Sequence, residues 1–274
     1  MIAGSALLTS SDAVVKWLTD ELPVGQIMTL RGLVVMALIS AVLTGGRQVH
    51  ALRVHNRRDL ALRALMVVLA TFLFLVGLRY MPLADATAIA FATPLFTTAL
   101  AVPLLGEQVG WRRWTAVVVG FGGVLLAAQP SGSGIAWAAL LPLGAALCAA
   151  LRDIATRRLH LTEASMGILF YTSAAVTLSG LVTAPWGWQA VSLEAWGLLA
   201  LSALVMTAAH YFQIEAFRYA DTATVAPFRY FALVWAVVLG FLIWGSLPGW
   251  MVTAGILVIA GSGLYIWHRE VRVR

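Results

Sequence analysis

Apolar residues fill this chain in blocks about twenty long, separated by short clusters of arginine, aspartate, glycine and proline. Ten such blocks fall at 2–19, 25–44, 60–79, 83–105, 111–129, 135–156, 164–184, 196–217, 222–244 and 249–267. A helix of roughly 20 apolar residues crosses the hydrocarbon of a bilayer. Lipid offers the backbone no hydrogen-bond partner, so each block must satisfy its own N–H and C=O groups, which predicts helices rather than open strands. The expected fold class is all-α, a polytopic membrane protein of ten transmembrane helices.

Composition agrees, because 61% of the 274 residues are hydrophobic and 11% are charged, against about 25% charged in soluble domains. The net charge of +6 raises nucleic acid as a partner, but the arginine positions argue against it. With the N-terminus in the cytoplasm, the cytoplasmic segments hold Arg47, Arg53, Arg57, Arg58, Arg63, Arg112, Arg113, Arg157, Arg158, Arg218, Arg269, Arg272 and Arg274. The external loops hold Arg79 alone, together with Asp20, Glu21 and Glu194. Such a bias orients a protein in the membrane. It predicts a bacterial cytoplasmic (inner) membrane protein with both termini inside, and no nucleic-acid partner. The first block carries Asp12 and Lys16 without a basic leader in front, so no cleavable signal is expected. Cys148 is the one cysteine, which excludes a disulfide or a cysteine metal cluster.

The chain also repeats itself. Shifted by 139 residues, Gly77-Leu78-Arg79-Tyr80 meets Ala216-Phe217-Arg218-Tyr219, Gly106 meets Gly245, Gly110-Trp111 meets Gly249-Trp250, and Gly122 meets Gly261. At a shift of 141, Asp12 and Lys16 meet Asp153 and Arg157. The repeats divide the chain at 1–130 and 131–274, with five spans each. An odd number of spans forces the second repeat to enter the membrane upside down. The charges follow that inversion: Glu107, Arg112 and Arg113 on the inner face become Ser246, Met251 and Val252 on the outer face. Inverted repeats in a membrane protein point to a transporter that rocks about a midplane site.

Charges inside spans are costly and mark function by default. In the first helix Ser5, Thr9, Asp12 and Lys16 fall on one face. Asp12 and Arg31 are at similar depth and with Lys16 can form an outer cluster, either a substrate contact or a structural ion pair with Lys16 reaching the interface. Asp153, His210, Glu215 and Arg229 lie toward the cytoplasm as inner gates or contacts, with a cap role for Glu215 and a carbonyl-bonded role for His210 as the structural alternatives. Of the eleven tryptophans only Trp235 falls in mid-helix. It shares a face with Thr224, Phe228 and Phe231, a stripe suited to a planar substrate or to helix packing. Tyr230 adds to that wall. Pro94, flanked by Thr93, Thr97 and Thr98, marks a kink or a hinge. Glycines 120, 122, 123, 255, 261 and 263 suit close helix contact.

Several chemistries are missing. Lys16 is the one lysine and is followed by tryptophan, so no phosphate-binding loop exists and this chain alone cannot be ATP-driven. His-Glu-x-x-His and Gly-x-Ser-x-Gly are absent, and the five histidines at 50, 55, 160, 210 and 268 form no helical ligand pair. No catalytic residue, metal or cofactor is expected.

Asp12-Ala-Val-Val-Lys16, Arg31, Leu78-Arg79-Tyr80-Met81-Pro82-Leu83-Ala84-Asp85-Ala86, Pro94-Leu95-Phe96, Leu105-Gly106-Glu107 and Trp111-Arg112-Arg113-Trp114 running into Gly120-Phe121-Gly122-Gly123-Val124 resemble the EamA family of the drug/metabolite transporter superfamily. The resemblance covers both repeats. It implies ten helices in two inverted five-helix halves that move small metabolites. Ser246 departs from it, since the second repeat of the family often has glutamate there. Ser11 to Lys16, Gly25 to Met28 and Arg152 to Arg158 are similar to segments of members assigned to riboflavin or S-adenosylmethionine uptake.

The expected function is secondary transport of an amino-acid-like, flavin or adenosyl metabolite by alternating access. Trp235, Phe231, Tyr230, Arg229, His210, Asp12 and Arg31 are the expected substrate contacts, and Lys16, Asp153, Glu215 and Pro94 the gates or coupling groups. Coupling to a proton or an exchanged solute stays open, as does monomer or homodimer. A membrane-embedded enzyme and a passive solute channel are the alternatives.

Overall fold

The computed structural model describes residues 2–46, 52–106, 110–128, 137–159, 163–219 and 231–273. Among them are eleven helical segments and no strand. They are α1 (Ile2–Leu18), α2 (Val24–Gly45), α3 (Arg57–Tyr80), α4 (Leu83–Ala90), α5 (Thr93–Leu105), α6 (Trp111–Ala128), α7 (Leu140–Leu159), α8 (Ser165–Leu181), α9 (Leu193–Tyr219), α10 (Phe231–Trp244) and α11 (Trp250–Val273). The blocks read from sequence correspond one to one, with the fourth broken into α4 and α5 and the ninth described from Phe231 onward. Val24–Gly45, Arg57–Tyr80 and the broken stretch Leu83–Leu104 are each long and apolar enough to cross a bilayer, and shorter apolar helices accompany them. Large apolar side chains lie exposed along these helices: Leu62, Leu65, Leu69 and Phe72 on α3, Val118, Val119 and Leu125 on α6, Phe241 and Leu242 on α10. Lipid, not water, suits such a surface.

The helices pack in reciprocal pairs. α1 packs on α9 and α7 on α3; α1 packs on α10 and α7 on α5; α2 packs on α9 and α8 on α3. Exchanging the two halves by the sequence shift turns each of these pairs into the other. The pairs α2 with α8, α6 with α11 and α4 with α10 map onto themselves. Gly106 and Gly245, aligned by the same shift, close α5 and α10 in the left-handed conformation at φ 68° and 65°, where a Cβ is disfavoured.

Helices α1, α4, α7 and α10 meet at the centre through small residues, Ala13, Ala86, Ala88, Ala146 and Ala236, which lie in one buried cluster with Leu78, Leu83 and Leu233. Glycines set two other crossings. Gly25, Gly32 and Gly180 bring α2 against α8, and Gly123 and Gly255 bring α6 against α11, each with a neighbour where a Cβ would stand. Gly120 is likewise in contact, against Leu95 and Ser262. Gly122 and Gly261 face open space instead. Periodicity explains this, because neighbouring positions on a helix point about 100° apart and only some can meet the partner.

On the side of the α3 start, Glu163 bridges the two halves. Its Oε1 accepts from the backbone N–H groups of His55 (2.7 Å) and Asn56 (2.6 Å), and Oε2 lies 3.7 Å from His55 Nδ1. Burial to 3% exposure pushes its carboxyl pKa up. The two backbone donors and the nearby imidazole outweigh that, and hold it below the usual glutamate value. A depressed pKa gives stability above the ordinary glutamate range that disappears as pH falls through the folded value. Glu163→Gln is therefore expected to lower Tm at pH 7, with the gap to wild type closing as the scan moves to pH 4 and below. A gap that does not change with pH means that the charge is irrelevant.

Candidate functional site

α1 carries two polar groups that spacing alone merges. Ser5 and Thr9 are spent on their own helix, donating to the carbonyls of Ile2 and Ser5. Ser11 does the connecting. Its hydroxyl donates to the Ser202 carbonyl on α9 at 2.9 Å and accepts from Arg31 Nη2 on α2 at 2.7 Å. Arg31, 8% exposed, also contacts Met206 Sδ at 2.7 Å, and its Nε is buried with no partner. Asp12 is half-buried beside Ser11 and is the carboxylate that acts on Arg31 electrostatically. Asp12 and Arg31 thus come together, with neutral groups around them.

Lys16 joins neither. One turn above Asp12, its ammonium donates to the carbonyls of Leu78 (2.7 Å) and Met81 (2.9 Å) where α3 ends. It lies 5.6 Å from the ring centroid of Trp244, the last residue of α10, and Trp17 tilts against the same ring at 6.4 Å. Asp20 and Asp85 are within its electrostatic reach, and Asp85 Oδ1 is buried without a partner. This knot ties α1, α3, α4 and α10 where α1, α3 and α10 end. The expected interfacial reach of Lys16 is replaced by helix capping, since free carbonyls at a helix C-terminus attract a cation. The sequence offers neither Asp85 nor Trp244 as a partner of Lys16. The Lys16-to-Leu78 bond links positions 62 apart, and no local pattern signals it.

The break beside Pro94 has a defined backbone. Proline at the start of α5 cannot donate to the Ala90 carbonyl, and Thr93 Oγ1 donates to it instead at 2.7 Å. Thr97 and Thr98 bond back to Thr93 and Pro94. The turn between α4 and α5, at Phe91 and Ala92, is thereby satisfied without a continuous helix.

Trp235 is half-buried on α10, and its indole Nε1 is buried with no hydrogen-bond partner. Phe231, one turn earlier, is 41% exposed. Arg229 and Tyr230 lie outside the described residues, as does Glu107. His210 and Glu215 fall within α9, but their side chains are outside the description. Asp153 on α7 accepts from Arg152 Nε (3.0 Å) and Nη2 (2.8 Å) through one oxygen. Arg63, assigned by sequence to the cytoplasmic charges, lies inside the α3–α7 contact and donates to Thr156. Gln26 was also missed. It is 3% exposed and exchanges two hydrogen bonds with the Gln189 backbone, pinning the α8–α9 loop to α2. Among the described residues no group of three or more His, Cys, Asp or Glu can hold a metal ion.

Comparison with known proteins fits this arrangement. The EamA-like transporter family matches residues 1–129 and 136–267. An S-adenosylmethionine uptake transporter of Rickettsia prowazekii (strain Madrid E) is 29% identical over 76% of this chain and 71% of its own. A riboflavin transporter of Rhizobium johnstonii is 30% identical over 81% of this chain and 74% of its own. A pseudopaline exporter of Pseudomonas aeruginosa is 28% identical over 94% of this chain and 91% of its own. A solved crystal structure superposes over all of this chain and 97% of its own with TM-score 0.72 at 17% identity, a likeness of fold alone. With family matches in both halves, the chain belongs to the EamA-like transporter family, as a multi-pass membrane transporter of small molecules and not an enzyme.

Proposed function

We propose that this protein carries a small organic metabolite across the bacterial inner membrane by alternating access, through two inverted five-helix halves (1–130 and 131–274) that rock about a midplane site, with both termini cytoplasmic. The observation that carries the mechanism is the reciprocity of helix packing. The main contacts of α1 and α2 with the second half have counterparts with the halves exchanged. Two equivalent arrangements of nearly equal energy are what a rocking bundle needs. In this reading the knot on Lys16 is the gate at the exofacial end.

Trp235 supports the location of the site. A buried indole N–H with no protein acceptor is uncommon, and together with the exposed ring of Phe231 it offers an apolar wall bearing one donor. That wall suits a planar heterocycle, and relatives named for S-adenosylmethionine and riboflavin make adenosyl and flavin compounds the first candidates. Arg229, Tyr230 and His210 belong to the same proposal from their positions in sequence. Asp12 and Arg31 supply a charge pair one layer outward, and Asp153, Glu215 and Pro94 are proposed as gating groups toward the other face.

In proteoliposomes the purified protein is expected to show saturable flux of S-adenosylmethionine or riboflavin with counter-exchange. Trp235→Ala and Arg229→Ala should each reduce that flux at least tenfold with Tm unchanged, and Trp235→Phe, which keeps an aromatic ring but loses the donor and part of the ring area, at least about fivefold, since one net hydrogen bond of about 1 kcal/mol already implies that factor. Full flux in both alanine variants overturns the site. Flux that neither saturates nor exchanges means a channel.

A further inference from the structure

The sequence shift pairs Ser11 and Asp12 with Arg152 and Asp153, and Ser202 with Arg63. The α1–α9 contact, bridged outside by the Ser11 hydroxyl on the Ser202 carbonyl, therefore has an arginine-rich counterpart in the α3–α7 contact. Arg63 is about 9 Å from the start of α3 at 1.5 Å per residue, and Asp153 is about as far from the end of α7. In the spans read from sequence, 60–79 and 135–156, each lies within a turn of the boundary.

The charge at this inner node does not balance. Arg63 Nε donates to the neutral Thr156 hydroxyl at 2.8 Å, while its Nη1 is buried with no hydrogen-bond partner. Asp153, which acts electrostatically on Arg63 along with Arg152, already takes two bonds from Arg152 on its Oδ1. Among the described residues the node holds two guanidinium groups and one carboxylate. Arginine does not shed its proton in a protein, and a buried positive charge in excess is strongly unfavourable unless an anion meets it. The Arg152 and Asp153 side chains are each 30% exposed and Arg63 is half-buried, which opens the node from the Arg152 side. A planar fork with a free N–H suits an oxyanion.

We propose that Arg63 and Arg152 form a binding site for one oxyanion, a carboxylate or phosphate, on the inner half of the α3–α7 contact. Resting on the transport reading, this makes the preferred solute one that bears such a group, engaged by Arg63 at the cytoplasmic end of its path. Asp153 lowers the affinity and keeps the site exchangeable.

The test is binding, so its outcome is independent of any flux assay. Detergent-purified protein is titrated with sodium phosphate and with sodium acetate at constant ionic strength, with chloride as the reference, and Tm is followed. Wild type is expected to show saturable stabilisation by the oxyanions. Arg63→Gln should weaken it at least tenfold, Arg63→Lys less, and Arg57→Gln, at the exposed start of the same helix, not at all. Arg152→Gln balances the node by leaving Asp153 to Arg63, so it should fold well and lose the response, and Asp153→Asn should tighten it. Metabolites are then screened as carboxylic acid and amide pairs. A preference for the acid that Arg63→Gln erases marks the anion as part of the solute, whereas a phosphate response with no acid preference marks a free anion and overturns the solute assignment. Equal responses to chloride and oxyanions, or an Arg63→Gln response like wild type, overturn the site altogether.

Discussion

Replacing Arg31 with alanine is expected to destabilise the protein by about 3–5 kcal/mol, the cost of leaving a buried charge without its partner. The side chain is 8% exposed, and its protein contacts, Ser11 and Met206, are neutral. The opposite charge that acts on it is Asp12. Arg31→Ala thus strands a carboxylate at membrane depth and also strips the Ser11 hydroxyl of its donor. The double variant Asp12→Asn with Arg31→Gln removes both charges and should recover most of the lost folding. If the pair also contacts solute, the double variant will fold and still transport at least tenfold more slowly. Monodisperse yield and Tm report the first effect, and flux in proteoliposomes the second. An Arg31→Ala protein as stable as wild type ends the idea that these two charges depend on each other.

The second large effect is conformational. Lys16→Met keeps the length and apolar stem of the side chain and removes its charge. It loses two charge-assisted bonds to the Leu78 and Met81 carbonyls and the face of Trp244. Bonds of this kind contribute about 1.5–3 kcal/mol each, and an ammonium over an aromatic ring roughly 0.5–2 kcal/mol. Outward opening under the proposed mechanism must separate α1 from α10, so it must break this knot. Losing even 1.4 kcal/mol of it moves a two-state equilibrium about tenfold. With Cys148 changed to serine and Ala13, buried between the central helices at 2% exposure, changed to cysteine, a membrane-impermeant maleimide should label the Lys16→Met protein about ten times faster than its Lys16 parent. Equal rates would show that the knot does not hold the outer end shut. Trp244→Leu offers a check, since it removes the ring and leaves the carbonyl bonds, and should give a smaller gain.

The sequence and the structure share out this molecule unevenly. Hydropathy placed the spans, because burial in lipid acts on each segment separately and leaves its mark in local composition. The family model matches the chain in two stretches, 1–129 and 136–267, on either side of the division expected from the sequence shift. Gly106 and Gly245 were aligned from sequence, and both adopt the left-handed cap that alignment implies. The charged and aromatic positions worth attention could also be picked out, since any such residue within a span stands against its surroundings.

What could not be read was partnership. Helical spacing fixes the direction in which a side chain leaves its own axis, but the group that meets it lies on another helix, 20 positions away for Ser11 and Arg31, 62 for Lys16 and Leu78 and 191 for Ser11 and Ser202. Asp12 and Lys16 share a face on α1, yet one works with Arg31 and the other with the end of α3. Arg63 reads as one more inner arginine until α7 is laid against it, and Trp244 reads as a membrane anchor until Lys16 is found beneath its ring. Composition and periodicity therefore determined by themselves that this is a bundle of membrane helices. Only the tertiary packing decided which charges compensate one another and which is left over, because electrostatic balance in a low-dielectric interior is set by distance through space.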